Sequence, residues 1–170
     1  MAPDGAIRTE GGALAQRVAR ALDVLEPAFL GIVADEAASF EHALHVVVMN
    51  PHAPPSGSTF EQAILVERSF GEPARWQADY AHYARAKARL AWREGLTTAT
   101  LVDDAPARLR EGDLVVPGAV CRYGLVVGAS GAQPWYDAAC AAMTIELVRA
   151  HLLHAVSDAR ARDGTWQLQA

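Results

Sequence analysis

The chain has 170 residues, 51% of them hydrophobic by type, with a mean hydropathy of +0.05 and a net charge of −5. That length suits one domain with a sizeable core, and the acidic balance argues against nonspecific nucleic-acid binding, which needs a basic stripe. No apolar run approaches the roughly 18 residues that cross a bilayer, and MAPDGAIRTEGG lacks the basic and apolar regions of a secretory signal, so the expectation is a cytoplasmic protein without a membrane partner. Residues 1–11, rich in glycine and charge, are expected to be disordered, and 12–170 to form a single domain.

Apolar residues at 14, 18, 22 and 25 predict a first helix. Pro27 is expected to break or restart it, with a second helix over Ala28–Phe40. The β-branched run in His42–Met49 predicts a strand. Pro51–Ser58, with three prolines and a glycine, is a loop, and Ala63–Phe70 is the next strand. On that strand Ile64, Val66, Arg68 and Phe70 should share one face. Arg75–Glu94 predicts a long helix stopped by Gly95. A short strand is expected within Leu96–Asp104, an irregular crossing over Ala105–Gly112, and strands at Leu114–Ala119 and Cys121–Ala129 with Tyr123-Gly124 as the turn. Asp137 stands where an N-cap belongs, ahead of a helix to about Arg160. Adjacent strands with short connections imply an antiparallel sheet with packed helices, an α+β architecture.

Chemistry-bearing residues gather in two places. The Pro51–Gln62 loop is longer than a hairpin needs and carries His52 and Glu61, a candidate base. Trp76, Tyr80, Tyr83 and Lys87 form a stripe at helical spacing. Such a stripe is usually core or interface, but a lysine on it favours a pocket, since lysine is rarely buried without a partner. Gly128-Ala129-Ser130-Gly131 is read as a sharp loop feeding a helix N-terminus, suited to an anion. It misses the GxSxG spacing of a nucleophile elbow and lacks the parallel sheet that motif needs, so Ser130 is read as a hydrogen-bonding residue. An inward Arg68 would need a carboxylate, with Glu61 or Asp137 available. His151 and His154 share a helix face without a zinc pattern, and Cys121 and Cys140 read as buried small hydrophobes, so no metal site is expected.

Pro117-Gly118, the hairpin, Gly128-Ala129-Ser130-Gly131 and Asp137 resemble the GGxP…GxxGxSG…D end of the GlcG/HbpS-like family. Ala84-Arg85-Ala86-Lys87-Ala88-Arg89-Leu90-Ala91 is similar to that family's AxxKAxxA helix. The resemblance spans roughly residues 40–155 and departs from the pattern where Ala119 and Val120 follow Gly118. It implies a profilin-like fold, a small-molecule ligand with haem as one candidate, and a homo-oligomer. Three readings stand. The first is a small-molecule-binding protein of this type. The second is an enzyme of isomerase, lyase or hydratase type, using His52, Glu61, Tyr83 and Lys87 as acid–base groups and Arg68, Gly128, Ser130 and Gly131 to hold a carboxylate-bearing substrate. The third is an oligomeric structural or partner protein without a ligand.

Overall fold

Helix α1 (Gly12–Ala34) opens the part of the chain that the computed structural model describes, residues 12–163; the expected disorder of 1–11 lies outside it. The helix runs through Pro27 instead of breaking there. Proline removes one N–H from the helical ladder. Asp23, whose carbonyl loses that donor, is exposed, as is Pro27, so water can replace the bond. The opposite stripe of Val18, Leu22, Phe29 and Val33 is buried, and its packing holds the helix together across the proline.

Four strands follow: β1 (Ala43–Met49), β2 (Ile64–Gly71), β3 (Ala119–Arg122) and β4 (Leu125–Ser130). They form one antiparallel sheet in the order β2-β1-β4-β3. Side chains alternate across it. Leu44, Val46 and Val48 join Val66, Phe70, Val127 and Ala129 on one face, against α1 and the closing helix α5 (Pro134–Asp163). Val47, Met49, Ala119 and Val126 face the other way, against helix α3 (Tyr80–Glu94). The result is an α+β fold, a four-stranded antiparallel sheet covered by helices on both sides. Central β1 is buried at every position, which explains why its sequence shows no alternation.

Several elements differ from the sequence expectation. Ile64 leaves the face of Val66, because the register jumps between Val48 and Met49 and the resulting bulge turns Ile64 to the α3 side. The long loop closes with a one-turn helix α2 (Phe60–Ala63), capped when Thr59 and Gln62 exchange side-chain and backbone hydrogen bonds. Arg75 does not start α3. A 3₁₀ turn occupies Pro73–Arg75, and Asp79 caps the helix by accepting from His82 N–H at 2.9 Å. The strand expected in Leu96–Asp104 is a short helix, α4 (Thr98–Asp103). Thr98 hydroxyl is held between the N–H and C=O of Ala119 at 3.1 Å, so this helix, not a strand, caps the edge at β3. Leu114–Gly118 joins no ladder, and β3 begins at Ala119. The hairpin turn falls where expected, with φ of 55° at Tyr123 and 75° at Gly124.

By length and composition α5 could cross a bilayer, its best 18-residue window having a mean hydropathy of 1.3. In this fold Cys140, Ala141, Ile145 and Val148 of that helix are buried in the core formed with α1 and the sheet.

Candidate functional site

Three buried groups meet where α3 crosses β4 and the start of α5. Lys87 projects from α3 toward β4, and its Nζ donates to Ala129 O at 3.2 Å and to Asp137 Oδ2 at 2.8 Å. The two side chains are 3% and 2% exposed. Burial pushes the Asp137 carboxyl up to about 6, opposed by Lys87 and by backbone N–H groups of Ala132 and Gly131. Replacing a buried ion pair by apolar side chains often leaves stability unchanged or raises it, so stability alone is a weak reason for this pair to stand here.

The backbone is shaped around Lys87. A Cβ on Gly118 would lie 2.7 Å from Nζ, 2.8 Å from Cδ and 2.7 Å from Ala129 O, at a φ of +143° that side chains rarely adopt. We therefore expect Gly118→Ala to lower the urea midpoint by the equivalent of about 1–3 kcal/mol, the scale of a strained backbone position. Unchanged stability would show that Lys87 has room to move.

Beside this pair is a cavity of about 340 Å³. Tyr80, Tyr83, Leu114, Val116 and Pro134 form apolar walls, with Lys87, Asp137, Ser130 and Gly131 at the polar end. Ser130 is 5% exposed, and no hydrogen bond to its hydroxyl is found among the described residues. Tyr80 stacks edge-on with Trp76 at 5.6 Å and with Tyr83 at 6.4 Å, so the aromatic stripe extends past the helix start. Burial first, then Glu41, Asp137 and Tyr83, raise the Tyr80 phenol and keep it protonated.

Of the residues singled out in the sequence, Tyr83, Lys87, Ser130 and Gly131 line this one cavity. The others do not. Gly128 and Ser130 belong to β4, not to a loop. Gly128 instead lets α3 approach the sheet, since a Cβ there would sit 2.7 Å from Ala84 O and Ala88 Cβ. The anion expected at the helix start is the protein's own: Asp137 is inside α5, and its Oδ1 accepts the Ala132 N–H at 2.9 Å. Arg68 lies on the opposite sheet face and pairs with Asp23 at 2.6 Å and Glu26 at 2.8 Å, correcting the expected Glu61 or Asp137. Glu61 is exposed and pairs with Arg89 at 3.1 Å, while exposed His52 turns its N–H to Asn50 Oδ1. Their loop is pinned by Trp92 Nε1–H donating to Ala53 O at 2.9 Å, over a separate cavity of about 230 Å³ floored by Cys121.

The role of Asp137 as partner to Lys87 was masked by its N-cap-like position. One signal was present: Lys87 is the single lysine in a chain with fourteen arginines. At this buried place the chain uses a compact amine on a flexible stem, where elsewhere it uses the planar fork.

Two further polar features lie apart. On the α3 face of the sheet, His45 Nδ1 shares a 2.8 Å hydrogen bond with Ser69 Oγ, and its Nε2 lies 3.5 Å from Glu67 Oε2. Glu67 also takes a two-pronged contact from Arg85, at 2.8 and 2.6 Å. His45, ahead of Arg85, holds the Glu67 carboxyl down at about 2. A carboxyl lowered in the fold gives stability above its unfolded value of 4.5 that is lost as pH falls toward 2. Glu67→Gln should therefore flatten the acid limb of a stability–pH curve between about pH 4.5 and 2; an unchanged limb would remove this group from the account. The second feature is a groove of about 530 Å³ between the end of α1 and the start of β1. His42, at a φ of 49°, donates from Nδ1 to Val33 O at 2.8 Å there, because a carbonyl can only accept.

No family model matches the chain, and no curated protein does. Among solved structures, a crystal structure of the PduOC:heme complex is similar at 16% identity, covering 82% of this chain and 94% of its own, with a TM-score of 0.46.

Proposed function

We propose that this protein binds a small organic molecule in the Lys87–Asp137 cavity, with a carbonyl or hydroxyl oxygen at the polar end. The observation that carries the proposal is a preorganised, nearly dry ion pair at the polar end of a cavity that the Ser130 side chain also lines, opening onto apolar walls. Ser130 offers a donor to a ligand oxygen. Asp137 stands within the same polar end, which disfavours a second carboxylate and so argues against the anionic substrate of the enzyme reading. Binding of acetophenone, a small neutral carbonyl probe, tests this. We expect thermal stabilisation of the wild type and none in Val116→Trp, which fills the cavity from an irregular segment. Equal stabilisation of both proteins would move the ligand elsewhere.

Haem does not fit this cavity. Its iron takes histidine, cysteine, methionine or tyrosine; the lining offers only Tyr80 and Tyr83, and Tyr80 is held protonated. The His42 groove supports a second reading. With Nδ1–H committed to Val33, the other ring nitrogen is left as an acceptor, the usual arrangement of a metal-bound histidine. Leu30, Val33 and Phe40 supply apolar walls and Arg75 a cation at the rim. Haem bound there would supply an iron centre, and a Soret band lost in His42→Ala would support it. No band on haem addition would end this reading without touching the first.

Assembly into a homo-oligomer belongs to the same proposal. Trp135 is 67% exposed and Val115 52% exposed, both adjoining segments that wall the cavity. Light scattering is expected to return a multiple of 18.2 kDa, and a monomer across concentrations would contradict it.

A further inference from the structure

We infer that Lys87 is a carbonyl-capturing amine, forming an imine with an aldehyde or ketone held in the cavity; this rests on the binding site proposed above. An amine used in this way must be desolvated, must lose its proton and needs an acid beside it. Lys87 is buried, and Asp137 sits 2.8 Å away as the acceptor for that proton. Burial penalises both charges of the pair, so passing the proton from nitrogen to oxygen removes two buried charges at once. The second contact, to Ala129 O, and the trough left by Gly118 fix the stem so that the nitrogen is presented at the polar end. An arginine could not do this, because its guanidinium stays protonated.

The step balances within these groups. Lys87 Nζ attacks the carbonyl carbon while the carboxylic acid of Asp137 gives its proton to the carbonyl oxygen. One nitrogen proton then passes through Asp137 to the new hydroxyl, and water leaves. The protonated imine remains opposite the Asp137 carboxylate, which replaces the starting ion pair with an equivalent one. Ser130, whose hydroxyl has no other partner among the described residues, is placed to hold the oxygen during addition. The walls of Tyr83, Leu114 and Val116 suit an apolar substituent on the carbonyl.

Because Lys87 is the single lysine, trapping is unambiguous. Folded protein is incubated with benzaldehyde and cyanoborohydride, digested and mapped by mass spectrometry, with the chain's α-amine as internal control for reagent activity. The expected result is one benzyl group on Lys87, lost in Lys87→Arg and in Val116→Trp. Benzylation of the α-amine alone would overturn the imine. Benzyl alcohol, the unreactive analogue, separates the two ideas in amide NMR spectra. Shifts at Ser130–Ala132 without an adduct leave the binding site standing and remove the chemistry, whereas neither shifts nor adduct would remove both.

Discussion

Lys87→Met is expected to cost about 3–5 kcal/mol near pH 8, because it leaves the Asp137 carboxylate buried without its cation. Methionine matches the lysine stem, so the loss reports charge more than packing. The pH dependence identifies the cause. Asp137 already has a raised value in the folded wild type, about 6 against 3.8. The folded state then holds a proton that the unfolded chain releases, so this group's stabilisation is present below about pH 4 and falls away as pH rises toward 6. Without Lys87 the folded value rises further, and the same loss continues to higher pH. The penalty of the substitution should therefore be clearly smaller at pH 5 than at pH 8 in urea titrations. An equal penalty at both would assign the effect to packing.

Lys87→Met combined with Asp137→Asn should recover most of that stability. The asparagine oxygen still accepts the Ala132 N–H, and no charge is left buried. Replacement of buried ion pairs by neutral groups is often neutral in other proteins, so the double variant is expected within about 1–2 kcal/mol of wild type. It should nevertheless lose acetophenone binding and benzaldehyde trapping. That combination, a fold regained with its ligand lost, separates a site from a structural pin. A double variant as unstable as the single one would mean that Lys87 and Asp137 are needed for the fold itself.

What could be read from the sequence follows from how local each signal is. The β-branched run of β1, the Tyr123-Gly124 turn and the Gly95 stop are local, and each appears where it was expected. Pro27 misled because a buried stripe on α1 outweighs one missing hydrogen bond, and packing of that kind is invisible in a single segment. Leu96–Asp104 misled for a related reason: the threonines that raise β propensity here hydrogen-bond to β3 from a helix and its cap. At the site, helical spacing placed Tyr83 and Lys87 on one side of α3, and the structure brings Ser130 and Gly131 to them. Asp137 was visible but given the wrong task, since only the fold brings positions fifty residues apart to 2.8 Å. His52 and Glu61 were singled out by their place in one long loop and Arg68 by its strand position, and the fold sends all three to other surfaces.

Amide NMR with ¹⁵N-labelled protein and acetophenone tests the ligand site most directly. The account predicts shifts concentrated at Ser130, Gly131 and Ala132 and at Tyr83 on α3, growing with ligand and absent in Val116→Trp. Shifts gathered instead at Phe40–Ala43, beside the His42 groove, or no shifts up to the solubility of the probe, would contradict it.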